Sequence, residues 1–324
     1  MKYIVTGGLG FIGSNFVGLL HEKTDATIGV IDKDGYASSI HNIPVEAAAT
    51  GRVGYHIFDL NNIITYNSRH LDELMLEDID TIFHFAAESH VDNSIAGPEI
   101  FVNSNVHGTL NLLEHAYKRG IKVVYISTDE VYGSLDKGTA SFVETQLLEP
   151  NNVYSATKVA AEMLTRAYHK THGMKMVITR CCNNYGPRQH TEKLLPKIIT
   201  NAERNAPIPV YGDGTNVREW IHVRDHCEAI WHIHNHGKNG EIYNIGSGVE
   251  ISNLELVKQV LLTMDRPESL IEFVEDRKGH DFRYSINFDK LKALGWAPAI
   301  DTRDKLLNEG LNETINWYIS REQP

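Results

Sequence analysis

The chain has 324 residues, of which 42% are hydrophobic and 23% are charged, so it can bury a large core in one large or two modest domains. A formal net charge of −11, with no compensating basic run, argues against a nucleic-acid-binding protein. No stretch approaches the ~18 apolar residues of a membrane span, and the segment Met1–Gly7 is expected to form a strand and a glycine turn rather than a signal peptide.

Apolar runs and helical periodicity alternate along the first half of the chain. The pattern predicts strands over 2–6, 27–31, 53–58, 80–85, 122–127 and 175–181, and helices near 11–22, 98–118 and 151–172. Several strands, such as 123–126, are continuously apolar, as expected for strands covered on both faces. This order predicts the α/β class, with a Rossmann-type doubly wound parallel sheet.

Beyond Tyr185 the elements become shorter and glycine-containing turns become more frequent. We expect a Rossmann domain over 1–185, to which a segment of about 219–247 returns, and a smaller interleaved substrate domain over 186–324. Because no low-complexity linker separates them, the boundary is expected to be a compact interface.

The cysteines and histidines show neither a disulfide framework nor a metal-ligand pattern. Cys181, Cys182 and Cys227 lack CxxC spacing, and the first two are adjacent on a predicted strand, so their side chains are expected to pack on opposite faces. The histidines lack HExxH or any other ligand spacing. The sequence therefore predicts no metal site and fits a reducing cytoplasm.

A glycine turn, Gly7–Gly13, joins the first predicted strand to the first helix. Glycines there allow a pyrophosphate to approach the backbone, and the helix N-terminus supplies amide donors. Asp32, at the end of the second strand, is placed to accept hydrogen bonds from a ribose 2′-hydroxyl, which favours NAD. Lys33 beside it leaves NADP as an alternative.

Two other segments indicate proton transfer. Tyr154 and Lys158 lie four residues apart on a predicted helix, so they share one face, and the lysine is expected to lower the pKa of the phenol until it can act as a base. The segment Ser127–Gly133 follows a buried strand and supplies the hydroxyl of Thr128 and two adjacent acids.

A simple alcohol dehydrogenase needs only a hydroxyl and a Tyr/Lys pair, so the carboxyl groups of Asp129 and Glu130 require a further explanation. They could form a solvated loop or a helix cap, but they follow a core strand at the sheet edge where ligands bind. Neighbouring carboxylates push their pKa values apart, which leaves one acid and one base. Two extra acids indicate oxidation of a sugar, elimination of water and renewed reduction.

The chain resembles the nucleotide-sugar 4,6-dehydratases, a family of extended short-chain dehydrogenases/reductases. The resemblance spans nearly the whole chain and rests on the runs 6–15 (TGGLGFIGSN), 84–92 (HFAAESHVD), 128–133 (TDEVYG), 154–158 (YSATK), 183–187 (NNYGP), 192–196 (EKLLP) and 276–281 (DRKGHD). The acid Asp129, directly after Thr128, resembles the pattern of the glucose-type dehydratases. GDP-mannose dehydratases and UDP-glucuronate decarboxylases have a pattern like Thr-Ser-Glu at these positions, with serine in place of the first acid.

The resemblance implies a role for each catalytic residue. Tyr154, assisted by Lys158 and with Thr128 hydrogen-bonded to the same oxygen, takes the proton of the sugar C4 hydroxyl while NAD takes the hydride. Glu130 removes the C5 proton and Asp129 protonates the departing C6 hydroxyl. The hydride then returns to C6, so the net reaction is that of a lyase.

The resemblance also implies two sets of contacts. Cofactor contacts fall on Gly7, Gly10, Phe11, Ile12, Gly13, Asp32, Lys33, Asp59, Leu60, Phe85, Ala86, Ala87, Ser89, Ser104, Tyr154, Lys158 and Asn184. Contacts to a nucleotide-diphospho-sugar fall on Ser89, Thr128, Asn183, Lys193, Leu194, Pro209, Tyr211, Arg218, Asn253, Arg277 and His280. Family members also pair the two long helices into a dimer, so a homodimer is expected.

Two segments depart from the family pattern, and three alternatives stay open. The differences in segment 34–39 affect contacts to the adenosine part of the cofactor, and those in segment 186–191 affect the shape of a loop. Neither segment contains a predicted catalytic residue. The run 279–281 favours a dTDP-sugar over a UDP-sugar, although 212–218 also resembles UDP-glucose dehydratases. An NAD-dependent epimerase or decarboxylase, or a non-catalytic nucleotide sensor, is the remaining alternative.

Overall fold

The computed structural model describes residues 1–61, 78–276 and 279–320. In the first half the elements are β1 Lys2–Thr6, α1 Phe11–Lys23, β2 Thr27–Asp32, α2 Val45–Ala49, β3 Val53–Ile57, β4 Thr81–His84, α3 Val91–Ala96, α4 Pro98–Phe101, a π-helical segment Val102–His107, α5 Gly108–Arg119, β5 Lys122–Thr128 and α6 Val153–His172. They are followed by β6 Met176–Cys181, β7 Asn183–Tyr185, α7 Leu194–Glu203, β8 Ile208–Tyr211, β9 Val217–His222, α8 Val223–His236, β10 Ile242–Ile245, β11 Glu250–Ser252, α9 Asn253–Thr263, β12 Ile271–Val274, α10 Asp289–Lys292, α11 Arg303–Lys305, a second π-helical segment Leu306–Gly310 and α12 Leu311–Ser320.

The central sheet has seven strands in the order β10-β6-β5-β4-β1-β2-β3, and all neighbours are parallel. The strand order reverses between β1 and β4, and such a reversal opens a crevice at the carboxyl ends of the strands. The predicted doubly wound α/β fold is confirmed. Two small sheets, β11-β9-β7 and β12-β8, lie outside it.

Alternating side chains of the central strands contribute to two separate cores. Val5 and Val124 pack with Phe16 of α1 on one face, whereas Ile4 and Val123 belong to the core on the other face. Because successive side chains of a strand point to opposite faces, continuously apolar strands can bury both. A third core joins α7, α9 and α12 around Trp220.

The predicted helix over 98–118 is continuous but not uniform. Its middle, Val102–His107, is π-helical, and it ends where Gly120 takes a left-handed conformation with φ of 68°. The extra residue in the π-helical turn places Asn105 where its side chain bonds both the N–H and the C=O of Glu88. The periodicity of the sequence does not reveal such a turn, which is common at functional sites.

Candidate active site

All five predicted catalytic residues and all the predicted cofactor contacts line one cavity at the carboxyl ends of the central strands. The glycine turn forms one wall. Gly7 has φ of 68°, and a Cβ there would lie 2.7 Å from the backbone N of Ala86. A Cβ on Gly13 would lie 2.3 Å from the carbonyl oxygen of Gly7, so side chains at these positions would collapse the turn.

Asp32 lies at the end of β2, beside the glycine turn. Its carboxylate accepts hydrogen bonds from the backbone N–H of Leu9 at 3.0 Å and of Asp34 at 3.1 Å. Burial raises the pKa of Asp32, and these backbone donors oppose the increase. The arrangement holds an acceptor at the position where a dinucleotide fold binds a ribose hydroxyl.

Lys33 forms an ion pair with Glu88, which lies in the 85–89 segment of the cavity wall. Asn105 fixes that segment, because its Nδ2 also donates to Thr157 Oγ1 at 2.9 Å. The sequence does not reveal the contacts of Lys33 with Glu88 and of Asn105 with Thr157, because each joins residues more than fifty positions apart.

Tyr154 and Lys158 are both buried on one face of α6. The Nζ of Lys158 donates to the carbonyl oxygen of Ile126 at 2.7 Å and lies 4.4 Å from the ring centroid of Tyr125. Burial lowers the pKa of Lys158 to about 8, so this ammonium can exchange a proton near neutral pH.

The sequence predicted a lowered pKa for the Tyr154 phenol, and this prediction is wrong. Burial raises its pKa well above the ordinary value, and the charge of Glu130 raises it further, while the hydrogen bond with Thr128 lowers it. The reason is that desolvation penalises the phenolate, whereas the lysine is itself buried and is bonded to a backbone carbonyl.

Asp129 and Glu130 occupy different environments although they are adjacent. Asp129 is 2% exposed, and its Oδ2 is buried without a hydrogen-bond partner. Burial raises the pKa of Asp129 well above its ordinary value, and the charges of Glu130 and Glu219 raise it further. The environment of Asp129 therefore favours its neutral, protonated form.

Glu130 lies half-buried at the wall of the cavity. Burial raises the pKa of Glu130, but the cationic side chains of Lys193 and Arg218 lower it, as does the hydrogen bond from Asn152. Burial thus raises the pKa of both adjacent acids, but less at Glu130 than at Asp129, and a difference of this kind suits acid–base catalysis.

A second cavity adjoins the first at Glu130 and Lys193. Six of the predicted substrate residues line it: Ser89, Asn183, Lys193, Leu194, Arg218 and His280. Thr128 lines the first cavity instead.

Three further predicted substrate residues, Pro209, Tyr211 and Asn253, do not line either cavity. Tyr211 borders the second cavity through an edge-to-face contact with His280 at 6.2 Å between ring centroids. Pro209 lies on the same strand, β8, and Asn253 opens α9 with a buried Oδ1 that has no hydrogen-bond partner. Arg277 lies outside the described residues.

Arg218 is the buried cation of this second cavity. Its Nη2 donates to the carbonyl oxygen of Asp281 at 2.9 Å, and its guanidinium lies 4.3 Å from the ring centroid of Tyr284. Asp281 in turn accepts a hydrogen bond from Asn151 at 2.6 Å. The guanidinium is therefore held by backbone and aromatic groups and not by a carboxylate, so its charge is available to an anion.

Sequence reasoning missed several residues that line the two cavities. They are Tyr36, Asn152, Cys181, Cys182, Glu192, Asp281 and Tyr284. Cys181 and Cys182 were expected only to pack, but they lie at the carboxyl end of β6 and line the cavity wall. Asp281 lies inside the recognised motif 276–281, and an acid in such a motif was a signal available from the sequence.

No described helix has the length and apolar character needed to cross a membrane. Across residues 1–61, 78–276 and 279–320, no group of three or more histidine, cysteine, aspartate or glutamate side chains is arranged to hold a metal ion.

Comparison with known proteins gives full-length similarity. Residues 4–308 match the family described as GDP-mannose 4,6 dehydratase. The low-salt glycan biosynthesis protein Agl12 of Haloferax volcanii is 46% identical over 100% of both chains. A dTDP-glucose 4,6-dehydratase of an Actinoplanes species is 44% identical over 98% of both chains.

A crystal structure shows the same similarity in three dimensions. The dTDP-glucose 4,6-dehydratase DesIV of Streptomyces venezuelae, with NAD bound, superposes with a TM-score of 0.92 at 43% identity. The match covers 99% of this chain and 98% of that chain.

Proposed function

The chain belongs to the GDP-mannose 4,6-dehydratase family of nucleotide-sugar enzymes, and we propose that it is an NAD-dependent dTDP-glucose 4,6-dehydratase, a carbon–oxygen lyase. The product is the dTDP-4-keto-6-deoxy sugar. Relatives named for dTDP-glucose match over nearly the whole chain, which disfavours the UDP-glucose alternative.

The observation that carries this proposal is the difference between Asp129 and Glu130. An epimerase or a simple dehydrogenase needs one proton-transfer group at the carbinol carbon, which Tyr154 supplies. Elimination of water also needs a base at C5 and an acid at the C6 hydroxyl, because hydroxide is a poor leaving group. A buried acid with a raised pKa, beside a carboxyl group whose ionised form Lys193 and Arg218 favour, meets both requirements.

The residues of the first cavity fit NAD. Asp32 and the glycine turn are suited to the adenosine ribose and the pyrophosphate, and the ion pair of Lys33 with Glu88 offsets the positive charge that would favour the 2′-phosphate of NADP. Bound NAD supplies a hydride acceptor for oxidation at C4 and a hydride donor for reduction at C6.

The chain's own residues supply the proton transfers. Tyr154, hydrogen-bonded with Thr128, acts as the phenolate, which the ammonium of Lys158, with a pKa of about 8, helps to stabilise. The phenolate accepts the proton of the C4 hydroxyl and becomes the neutral phenol. The resulting C4 carbonyl acidifies the C5 proton, which Glu130 removes. Asp129 donates its proton to the C6 hydroxyl as the C–O bond breaks.

The second cavity fits a diphosphate. In a chain of net charge −11, Arg218 and Lys193 provide local positive charge beside the catalytic acids. A guanidinium can bind two phosphate oxygens at once. We assign cofactor binding to 1–185 with the returning segment 219–247, and nucleotide-sugar binding to 186–324.

The finer assignments of compartment and assembly complete the proposal. Three buried free cysteines are compatible with a reducing cytoplasm. The helical surface formed by α3, α4, the π-helical segment after α4, and α6 exposes four apolar side chains, with between 38% and 50% of each residue accessible: Ile95, Ile100, Val102 and Met163. This apolar surface supports a homodimer, whereas Phe101 of α4 is buried within its own chain.

The decisive experiment is incubation of the purified protein with dTDP-glucose and, separately, with UDP-glucose. A 4-keto-6-deoxy product should form from dTDP-glucose faster than from UDP-glucose, as followed by NMR. A 4-epimer or a decarboxylated product in its place would contradict the proposal.

A further inference from the structure

Asn152 lies at the N-terminus of α6, the helix that carries Tyr154 and Lys158. Its Oδ1 accepts a hydrogen bond from the backbone N–H of Ser155 at 2.8 Å, and its own backbone N–H donates to Ser155 Oγ at 3.3 Å. This reciprocal pair is a capping box, which satisfies backbone donors that a helix start leaves unpaired.

The other end of the same amide points toward the catalytic base. Asn152 Nδ2 lies 3.4 Å from Glu130 Oε2, at the long end of hydrogen-bond distances. Both residues line the second cavity together with Lys193 and Arg218. One side chain therefore contacts both the helix of the C4 chemistry and the carboxylate assigned to C5.

We propose that Asn152 is a positioning residue for water elimination: its Oδ1 holds the start of α6, while its Nδ2 orients the carboxylate of Glu130 relative to Tyr154. This inference rests on the proposed dehydratase function. Because the two functions use different atoms of one amide, substitution can separate them.

The preceding residue extends the same connection into the substrate cavity. Asn151 Nδ2 donates to Asp281 Oδ1 at 2.6 Å, and the backbone carbonyl of Asp281 accepts from Arg218. Adjacent asparagines thus contact the catalytic base and the residue that holds the diphosphate-binding arginine. A shift of this segment would move both contacts together.

Several charged or titratable groups face Glu130, and Asn152 adds a hydrogen bond from a neutral amide. These groups are Asp129 of its own turn, Tyr154 of α6, Lys193 before α7, Arg218 of β9, and Asp281 and Tyr284 of the segment after β12. Lys193, Arg218 and the Asn152 hydrogen bond lower the pKa of Glu130, while burial and Asp281 raise it. Removal of the amide donor should therefore move the pKa of Glu130 upward.

Three substitutions separate capping from positioning. Asn152→Ser keeps a good N-cap oxygen but has no donor that reaches Glu130, and Asn152→Asp keeps the cap and adds a like charge. Asn152→Ala loses both functions. For each variant we would measure thermal unfolding, formation of bound NADH with dTDP-glucose, and deuterium incorporation at C5 in heavy water across pH.

The serine variant gives the clearest expected result. Its melting temperature and C4 oxidation should match those of the wild type, while C5 exchange falls about three- to tenfold, the effect of one lost hydrogen bond. The acidic limb of its exchange profile should shift to higher pH, and that of Asn152→Asp should shift further. Asn152→Ala should add a decrease of about 2 °C in melting temperature.

Two outcomes would overturn the inference. Wild-type exchange in Asn152→Ser would show that the amide does not orient the base, and a joint fall of melting temperature, C4 oxidation and exchange would show a capping role alone. If the wild-type protein itself neither oxidises nor dehydrates dTDP-glucose, the proposed function fails first and this inference fails with it.

Discussion

Asp129→Asn is the substitution that most directly tests the division between acid and base. In the structure, Asp129 accepts one hydrogen bond, from Thr128 Oγ1 to Oδ1 at 3.2 Å, and its Oδ2 has no partner. Asparagine keeps the Oδ1 acceptor and a similar volume but cannot donate an acidic proton. The chemistry should therefore be affected far more than the packing.

The expected loss follows from the role. General acid catalysis contributes about a hundredfold or more, which corresponds to at least about 2.7 kcal/mol of barrier. Water loss from dTDP-glucose should fall by that factor, while C4 oxidation and some C5 exchange continue. The assay follows bound NADH by absorbance, C5 deuterium in heavy water by NMR, and the 4-keto-6-deoxy product.

The pH dependence of stability provides an independent measurement. Since the pKa of Asp129 is raised in the folded protein above its usual 3.8, the folded state holds a proton that the unfolded chain releases. This contribution to stability is complete below pH ~3.8 and is lost as the pH rises toward the folded pKa. The free energy of unfolding of the wild type should therefore fall, relative to Asp129→Asn, as the pH rises above about 4.

A matched control uses the same substitution at an exposed acid. Asp301 pairs with Lys305 at 2.7 Å on the surface, and Asp301→Asn should leave activity unchanged. Dehydration at the wild-type rate in Asp129→Asn, or a stability difference that does not change with pH, would refute the assignment of Asp129 as a buried neutral acid.

Glu130→Gln should still oxidise C4 but should exchange little C5 hydrogen, because the base is lost; normal exchange in this variant would show that another group removes the proton. Tyr154→Phe should reduce formation of bound NADH at least about a hundredfold, and wild-type oxidation would exclude the tyrosine as the C4 base. Denatured protein should release NAD, as measured by enzymatic assay of the supernatant, and recovery of NADP would contradict the argument from Asp32 and the Lys33–Glu88 ion pair. Sedimentation at micromolar concentration should give a dimer that Val102→Glu weakens, because Val102 is 39% exposed on the proposed interface, whereas a wild-type species of 36.5 kDa would exclude the homodimer.

Local patterns determined the fold and the location of the chemistry. Apolar runs separated by helical periodicity predicted the parallel sheet, and the glycine turn with Asp32 marked one wall of the cavity. The four-residue spacing of Tyr154 and Lys158 placed both on one face of α6. These features are short-range, since they depend on side-chain period and on the backbone freedom of glycine, and a sequence displays both directly.

Protonation and long-range contacts depended on the tertiary structure. Adjacent residues cannot reveal that Asp129 is buried without a partner for Oδ2 among the described residues while Glu130 faces Lys193 and Arg218, because these groups are brought together from three separate segments. The direction of the Tyr154 pKa was mispredicted for the same reason: the spacing to Lys158 is visible in the sequence, but the desolvation that outweighs it is not. The contact of Asn152 with Glu130 joins residues 22 positions apart, and only the packing of α6 against the end of β5 creates it.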